Sequence, residues 1–173
     1  MITMPRVALA ILALASSTAV ALAQPGAPQP DYHPSFGDLM TFAVQPRHIK
    51  LGVAGRARNW PYAAYEASEL RNAFNRIGRT VPTYRQQAIP DMFASAIVPS
   101  MDKLDAAIKA KDGKAFDAAY RSVTASCNNC HAGLDHAYIV IREPSVSPYA
   151  DQNLTGGSNT GLARSKPKQA SVQ

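Results

Sequence analysis

Four stretches of the chain carry hydrophobic side chains at helical spacing, and none sustains the strict alternation of a strand. The first covers residues 36–58, with Phe36, Met40, Ala43 or Val44, His48 and Leu51 on one side. Pro46 falls inside it and predicts a kink or a break, because proline removes one backbone donor. The second follows Asn59, placed as an N-cap, with Pro61 in its first turn. Its stripe is Tyr62, Tyr65, Glu69 or Leu70, Ala73 or Phe74, and Ile77. The third starts at Pro90 and carries Phe93, Ile97, Met101, Leu104 and Ile108, with Pro99 inside it. The fourth begins near Asp112 and runs past residue 130, with the stripe Phe116, Tyr120, Val123, Cys127, Cys130, Leu134 and Ala137. Four amphipathic helices on short connections predict an all-α, antiparallel four-helix bundle over residues 36–143.

The flanks read differently. Residues 1–23 have the form of a secretory signal peptide: Arg6, an apolar run from Val7 to Ala15, and the small-x-small site Ala21-Leu22-Ala23 before Gln24. The alternative, a retained anchor, is disfavoured by the shortness of the run and by Ser16, Ser17 and Thr18 after it. Residues 24–35 form a Pro-rich lead-in, and Glu143-Pro144 is where the folded part should end. Residues 144–173 then read as a flexible polar tail. The expected product is periplasmic, with no stable membrane span once the leader is cleaved.

Charge adds little. The net charge is +6, but Arg164, Lys166 and Lys168 lie in the tail and Arg6 in the leader, which leaves +2 for the body. That balance excludes a nucleic-acid binder. Two cysteines in 173 residues cannot build a disulfide framework.

Those two cysteines nevertheless carry the chemistry. The run Ala125-Ser126-Cys127-Asn128-Asn129-Cys130-His131 contains Cys-x-x-Cys-His, the attachment signature of c-type haem. On a helix, positions i and i+3 share a face, so both sulfurs can reach the two vinyl groups along one haem edge. His131 then supplies the proximal iron ligand. Other readings of the same residues are a thioredoxin-like redox pair, a zinc site from Cys127, Cys130, His131 and His136, and a local disulfide. The first lacks the preceding strand, the second lacks a separated ligand cluster, and the third is strained on a helix.

An exported helical chain whose Cys-x-x-Cys-His sits near the end of its fourth helix resembles the class II cytochromes c, the cytochrome c′ group. The stretch from His48-Ile49-Lys50-Leu51 through Asn59-Trp60-Pro61 to Glu69-Leu70 is also similar to a branch of bacterial bundle cytochromes. The resemblance implies one covalent haem c on the fourth helix and redox partner proteins in the cell envelope. It also implies a possible homodimer through the first two helices.

The sixth iron position separates the functions. His136 is too near His131 on the chain to reach across a porphyrin. The first helix is the neighbour of the fourth, and its early half favours Met40, where the class II family has a Met or Leu. His48, about 12 Å further along the helix, is the alternative distal ligand. Met92, Met101 or a vacant position complete the set. A filled position suits electron transfer without enzyme activity; a vacant one suits capture of nitric oxide or carbon monoxide. A peroxidase-like role would rest on His48 with Arg47. The basic set Arg47, Lys50, Arg56, Arg58, Arg71, Arg76 and Arg79 reads as propionate partners, a docking face, or a solvated surface.

Overall fold

The computed structural model describes residues 32–157. The expected leader, most of the Pro-rich lead-in and the last part of the expected tail therefore lie outside the described residues. The fold that follows is that of the unit beginning at Pro34.

It is all-α apart from one small hairpin. The helices are α1 (Phe36–Leu39), α2 (Gln45–Arg56), α3 (Trp60–Thr80), α4 (Ile89–Ala96), α5 (Val98–Ala110) and α6 (Gly113–Gly133). A π-helical turn, Met40–Val44, joins α1 to α2. Helix α2 packs on α3 and α6, and α5 packs on α3 and α6, so the apolar stripes meet in one core. Tyr120, Phe116, Leu51, Leu70, Ile77, Ile89, Met101 and Leu104 are its largest fully buried apolar members. No described helix is long and apolar enough to cross a membrane.

Local chemistry explains the boundaries. Ser35 caps α1 in a reciprocal box: its hydroxyl accepts from the Asp38 N–H, and the Asp38 carboxylate accepts from the Ser35 N–H, both at 3.1 Å. Asp112 caps α6 by accepting from the N–H groups of Lys114 and Ala115. Lys111, left-handed at φ 54°, closes α5 just before it. Asn59 stands at the N-cap of α3, yet its side chain does not cap; its Nδ2 donates to the Leu154 carbonyl instead.

The first predicted helix is neither straight nor cut at Pro46. The chain takes up one extra residue as a π-turn, in which the Gln45 N–H bonds back to the Met40 carbonyl. Pro46 then falls in the first turn of α2, directly after the π-turn that has already shifted the hydrogen-bond register. The third predicted helix is broken at Ile97, two residues before Pro99, into α4 and α5.

Three expectations need correcting. Tyr65 is more than half exposed, and the buried stripe of α3 begins at Ala63, Glu66 and Ala67. Glu66 is wholly buried because Arg47 donates to its carboxylate at 3.2 Å and also reaches Glu69 at 3.6 Å. Ala137 is exposed because α6 stops at Gly133, where Asp135 turns left-handed at φ 58°. Finally, the chain does not leave the body at Glu143-Pro144: Arg56 donates to the Pro144 carbonyl and pairs with Glu143 at 3.4 Å. Further on, Tyr62 donates to Gln152 at 2.9 Å and Leu154 is 2% exposed. A polar composition hid one apolar anchor and several backbone acceptors.

The hairpin pairs Thr83–Tyr84 with Gln87–Ala88 across Arg85 and Gln86, both at positive φ. No periodicity announces a strand of two residues. Its consequence is that Tyr84 is carried to the site described next.

Candidate functional site

A cavity of about 310 Å³ opens between the π-turn, α2 and the C-terminal end of α6. Cys127, Cys130 and His131 line it from α6, and Met40, Val44 and His48 line it from the other side. Phe74, Phe93 and Ile97 supply an apolar wall from α3, α4 and the break before α5. Met92 and Met101 do not line it. The π-turn explains how Met40 and His48 come to share the cavity. Eight residues of ideal α-helix would leave them about 80° apart, whereas absorbing one residue brings the separation to about 20°.

The thiols are in protonated form. Burial pushes Cys127 up to about 12, with the neighbouring Cys130 adding to it, and burial raises Cys130 as well. Both are free cysteines. They stand at the C-terminal end of α6, where the helix dipole also opposes a thiolate. A redox dithiol needs the reverse, a depressed thiol at a helix N-terminus. Among the described residues, no three of His, Cys, Asp and Glu gather into a group that could hold a metal ion by themselves.

His131 is held through one nitrogen only. Its Nδ1 lies 2.7 Å from the Ile139 carbonyl, which can only accept, so Nδ1 carries the proton and Nε2 keeps its lone pair. His136 differs: its Nε2 meets the Tyr84 hydroxyl at 3.0 Å and its Nδ1 meets that of Tyr138 at 3.0 Å.

His48 is also committed. It is 4% exposed and stacks on Tyr120, with ring centroids 4.8 Å apart. Its Nε2 lies 2.9 Å from the Thr124 hydroxyl and its Nδ1 3.1 Å from the Tyr120 hydroxyl. Tyr120 also donates to the His48 carbonyl at 2.8 Å, and Thr124 to the Tyr120 carbonyl at 3.1 Å. A neutral His48 protonated on Nε2 serves this chain: Nε2–H donates to Thr124, Thr124 donates to a backbone carbonyl, and the single Tyr120 proton is shared between His48 Nδ1 and the His48 carbonyl. Binding a metal through Nε2 would dismantle that arrangement, while Met40 gives up nothing.

Burial, then the Arg56 charge, lowers His48 to about 4. The unfolded chain binds the extra proton near 6.5, so folding stability is complete above that pH and falls as the pH drops towards 4. The loss is on the order of 3 kcal/mol. Urea unfolding of wild-type and His48→Gln proteins at several pH values should show that slope only in the wild type.

The basic set is mostly occupied at home. Besides Arg47 and Arg56, Arg58 pairs with Asp117 at 3.3 Å, and Arg71 with Asp102 at 2.9 Å and Asp105 at 2.6 Å. Lys50 lies over the Tyr149 ring, 4.6 Å from its centroid. None of the seven lines the cavity. The sequence reading missed Tyr84, Thr124, Ile139 and Ile141 around the site, and gave Tyr120 only a place in a stripe. These residues arrive by tertiary packing and carry no motif.

No protein-family model, curated protein or solved structure matches the chain.

Proposed function

We propose that this protein is an exported c-type cytochrome with one covalent haem, an electron carrier of the cell envelope on an antiparallel four-helix bundle of the class II kind. One observation carries the reading: Cys127, Cys130, His131 and Met40, the residues such a haem would need, line a single apolar cavity. Cys127 and Cys130 would hold the group as thioethers, His131 as proximal ligand through Nε2, and Met40 as distal ligand. When bound, the haem supplies a one-electron couple at its iron.

The chain's own residues do the rest. Cys127 and Cys130, kept as thiols by burial, have the S–H bonds that thioether formation consumes. The Ile139 carbonyl fixes the His131 tautomer. Phe74, Phe93, Ile97 and Val44 exclude water. Packed helices on three sides keep the walls in place when charge changes inside. The partners on this reading are redox proteins of the periplasm.

A five-coordinate, gas-binding haem protein is the second reading. It is favoured by the commitment of His48 to Thr124 and Tyr120, which leaves Met40 as the one sulfur donor that the π-turn and α2 bring to the cavity; the side chains beside it, Thr41, Val44 and Gln45, are not customary haem-iron ligands.

Optical spectra of the exported protein with and without carbon monoxide test both. The expected result is a low-spin haem with a methionine–iron charge-transfer band and no response to carbon monoxide. Met40→Ala should turn it high-spin and carbon monoxide-binding. A wild type that is already high-spin and binds carbon monoxide would give the second reading its place. Absence of any haem spectrum would sink the two together.

A further inference from the structure

We propose that Asn128, the first of the two residues between the cysteines, is a positioning residue for His131 and acts through the backbone of residues 139–141. The inference rests on the reading of His131 as an iron ligand. The motif itself places no demand on this position. The structure gives Asn128 two bonds to one residue: its Nδ2 donates to the Ile141 carbonyl at 3.0 Å, and its Oδ1 accepts from the Ile141 N–H at 2.7 Å. A side-chain amide here pairs with the main chain as a neighbouring strand would, and so fixes both the height and the register of the segment.

Two residues upstream, the Ile139 carbonyl accepts from His131 Nδ1 at 2.7 Å, while the Ile139 N–H bonds to the His136 carbonyl at 2.8 Å. Asn128 and His131 are three residues apart and share a face of α6. The helix thus grips the returning segment at two points, one of them the ligand's own ring. Ile139 and Ile141 both line the cavity, and Val140 between them is 63% exposed. A slip of one residue would withdraw the Ile139 carbonyl from His131 and turn both isoleucines outward. Without that carbonyl nothing favours the proton on Nδ1, and a histidine whose outer N–H lacks its acceptor is a weaker donor to iron.

The test compares wild type, Asn128→Ala and Asn128→Asp as full-length haem-loaded proteins. Two quantities are read: the reduction potential, and the solvent exchange of the His131 Nδ1 proton in the diamagnetic ferrous state. In Asn128→Ala the proton should exchange at least tenfold faster and the potential should rise, since a less basic ligand stabilises the ferric iron less. In Asn128→Asp at neutral pH the carboxylate faces the Ile141 carbonyl without a proton to donate. Its His131 Nδ1 proton should also exchange faster than in wild type at the same pH, and that excess should vanish as acid protonates the carboxyl. Wild-type exchange and potential in Asn128→Ala would overturn the proposal, as would an excess of exchange in Asn128→Asp that ignores pH. If the protein carries no haem, the iron reading fails separately, and ¹⁵N shifts of the His131 ring in the full chain still read its tautomer. The Nδ1–H form should then dominate in wild type and be lost in Asn128→Ala; equal tautomer populations in the two would overturn the clamp itself.

Discussion

Replacing Cys127 and Cys130 together by alanine is expected to leave a protein with no haem that survives acid–acetone extraction or a denaturing gel stained for haem peroxidase activity. The thiols are half-buried, unpaired and protonated at the end of α6, and both open onto the cavity. Nothing else on the cavity wall offers a sulfur except Met40, whose thioether has no S–H to add to a vinyl group. Each single variant should keep one thioether and so retain haem through denaturation, with the shifted absorption of a group that has one vinyl left. A double variant whose haem still resists extraction would remove the covalent reading. A wild type in which both thiols remain titratable after full unfolding would do the same. The removed sulfurs lie at the cavity edge, so the loss of haem, more than the loss of packing, should dominate the outcome.

How much of this could be read in advance differs from residue to residue. Asp112 and Pro61 mark helix starts by local chemistry, and the structure agrees within a residue because the Asp112 cap bonds and the fixed φ of proline involve near neighbours. Cys127, Cys130 and His131 are legible because their spacing is itself the signal. Met40 and His48 were legible as candidates, but an ideal helix leaves them well apart in angle, and only the π-turn aligns them on one wall. That turn answers Pro46, and sequence could say that Pro46 would disturb the helix without saying how. Glu66 shows the limit more plainly. A glutamate reads as surface, and its burial depends on Arg47 arriving from a different helix. Asn59 fails in the other direction: a strong N-cap residue is drawn off by a tail carbonyl nearly a hundred residues later. Leu154 was lost in a polar stretch because one buried side chain has no period.

Gly55→Ala is expected to be strongly destabilising, despite a helix preference of about 1 kcal/mol in alanine's favour. A Cβ at Gly55 would fall within the Phe116 ring, and one at Gly52 would collide with the Tyr120 hydroxyl. Neither ring can step aside. Phe116 is wholly buried, stacked on Tyr120 at 5.8 Å and met edge-on by Trp60 at 6.0 Å. Tyr120 is tied to the His48 carbonyl. Overpacking of this kind costs roughly 3 kcal/mol, so the melting temperature should fall by about 10 °C. Gly133→Ala is the control, for its Cβ would meet nothing within 4 Å and its φ is ordinary; it should be neutral or slightly stabilising. Shortening the obstacle tests the cause: Phe116→Leu in the Gly55→Ala background should recover part of the loss, although Phe116→Leu alone destabilises by opening a void. The consequence also reaches the site. Helix α2 bears His48 and, through the π-turn, Met40, whereas α6 bears both cysteines and His131. Gly52 and Gly55 let those two helices come together, so they set the width of the cavity between its two walls. A Gly55→Ala protein that melts early but keeps the wild-type haem spectrum would show that this width is held elsewhere. A spectrum shifted towards high spin, returning with Phe116→Leu, would tie the distal ligand to the glycine contact.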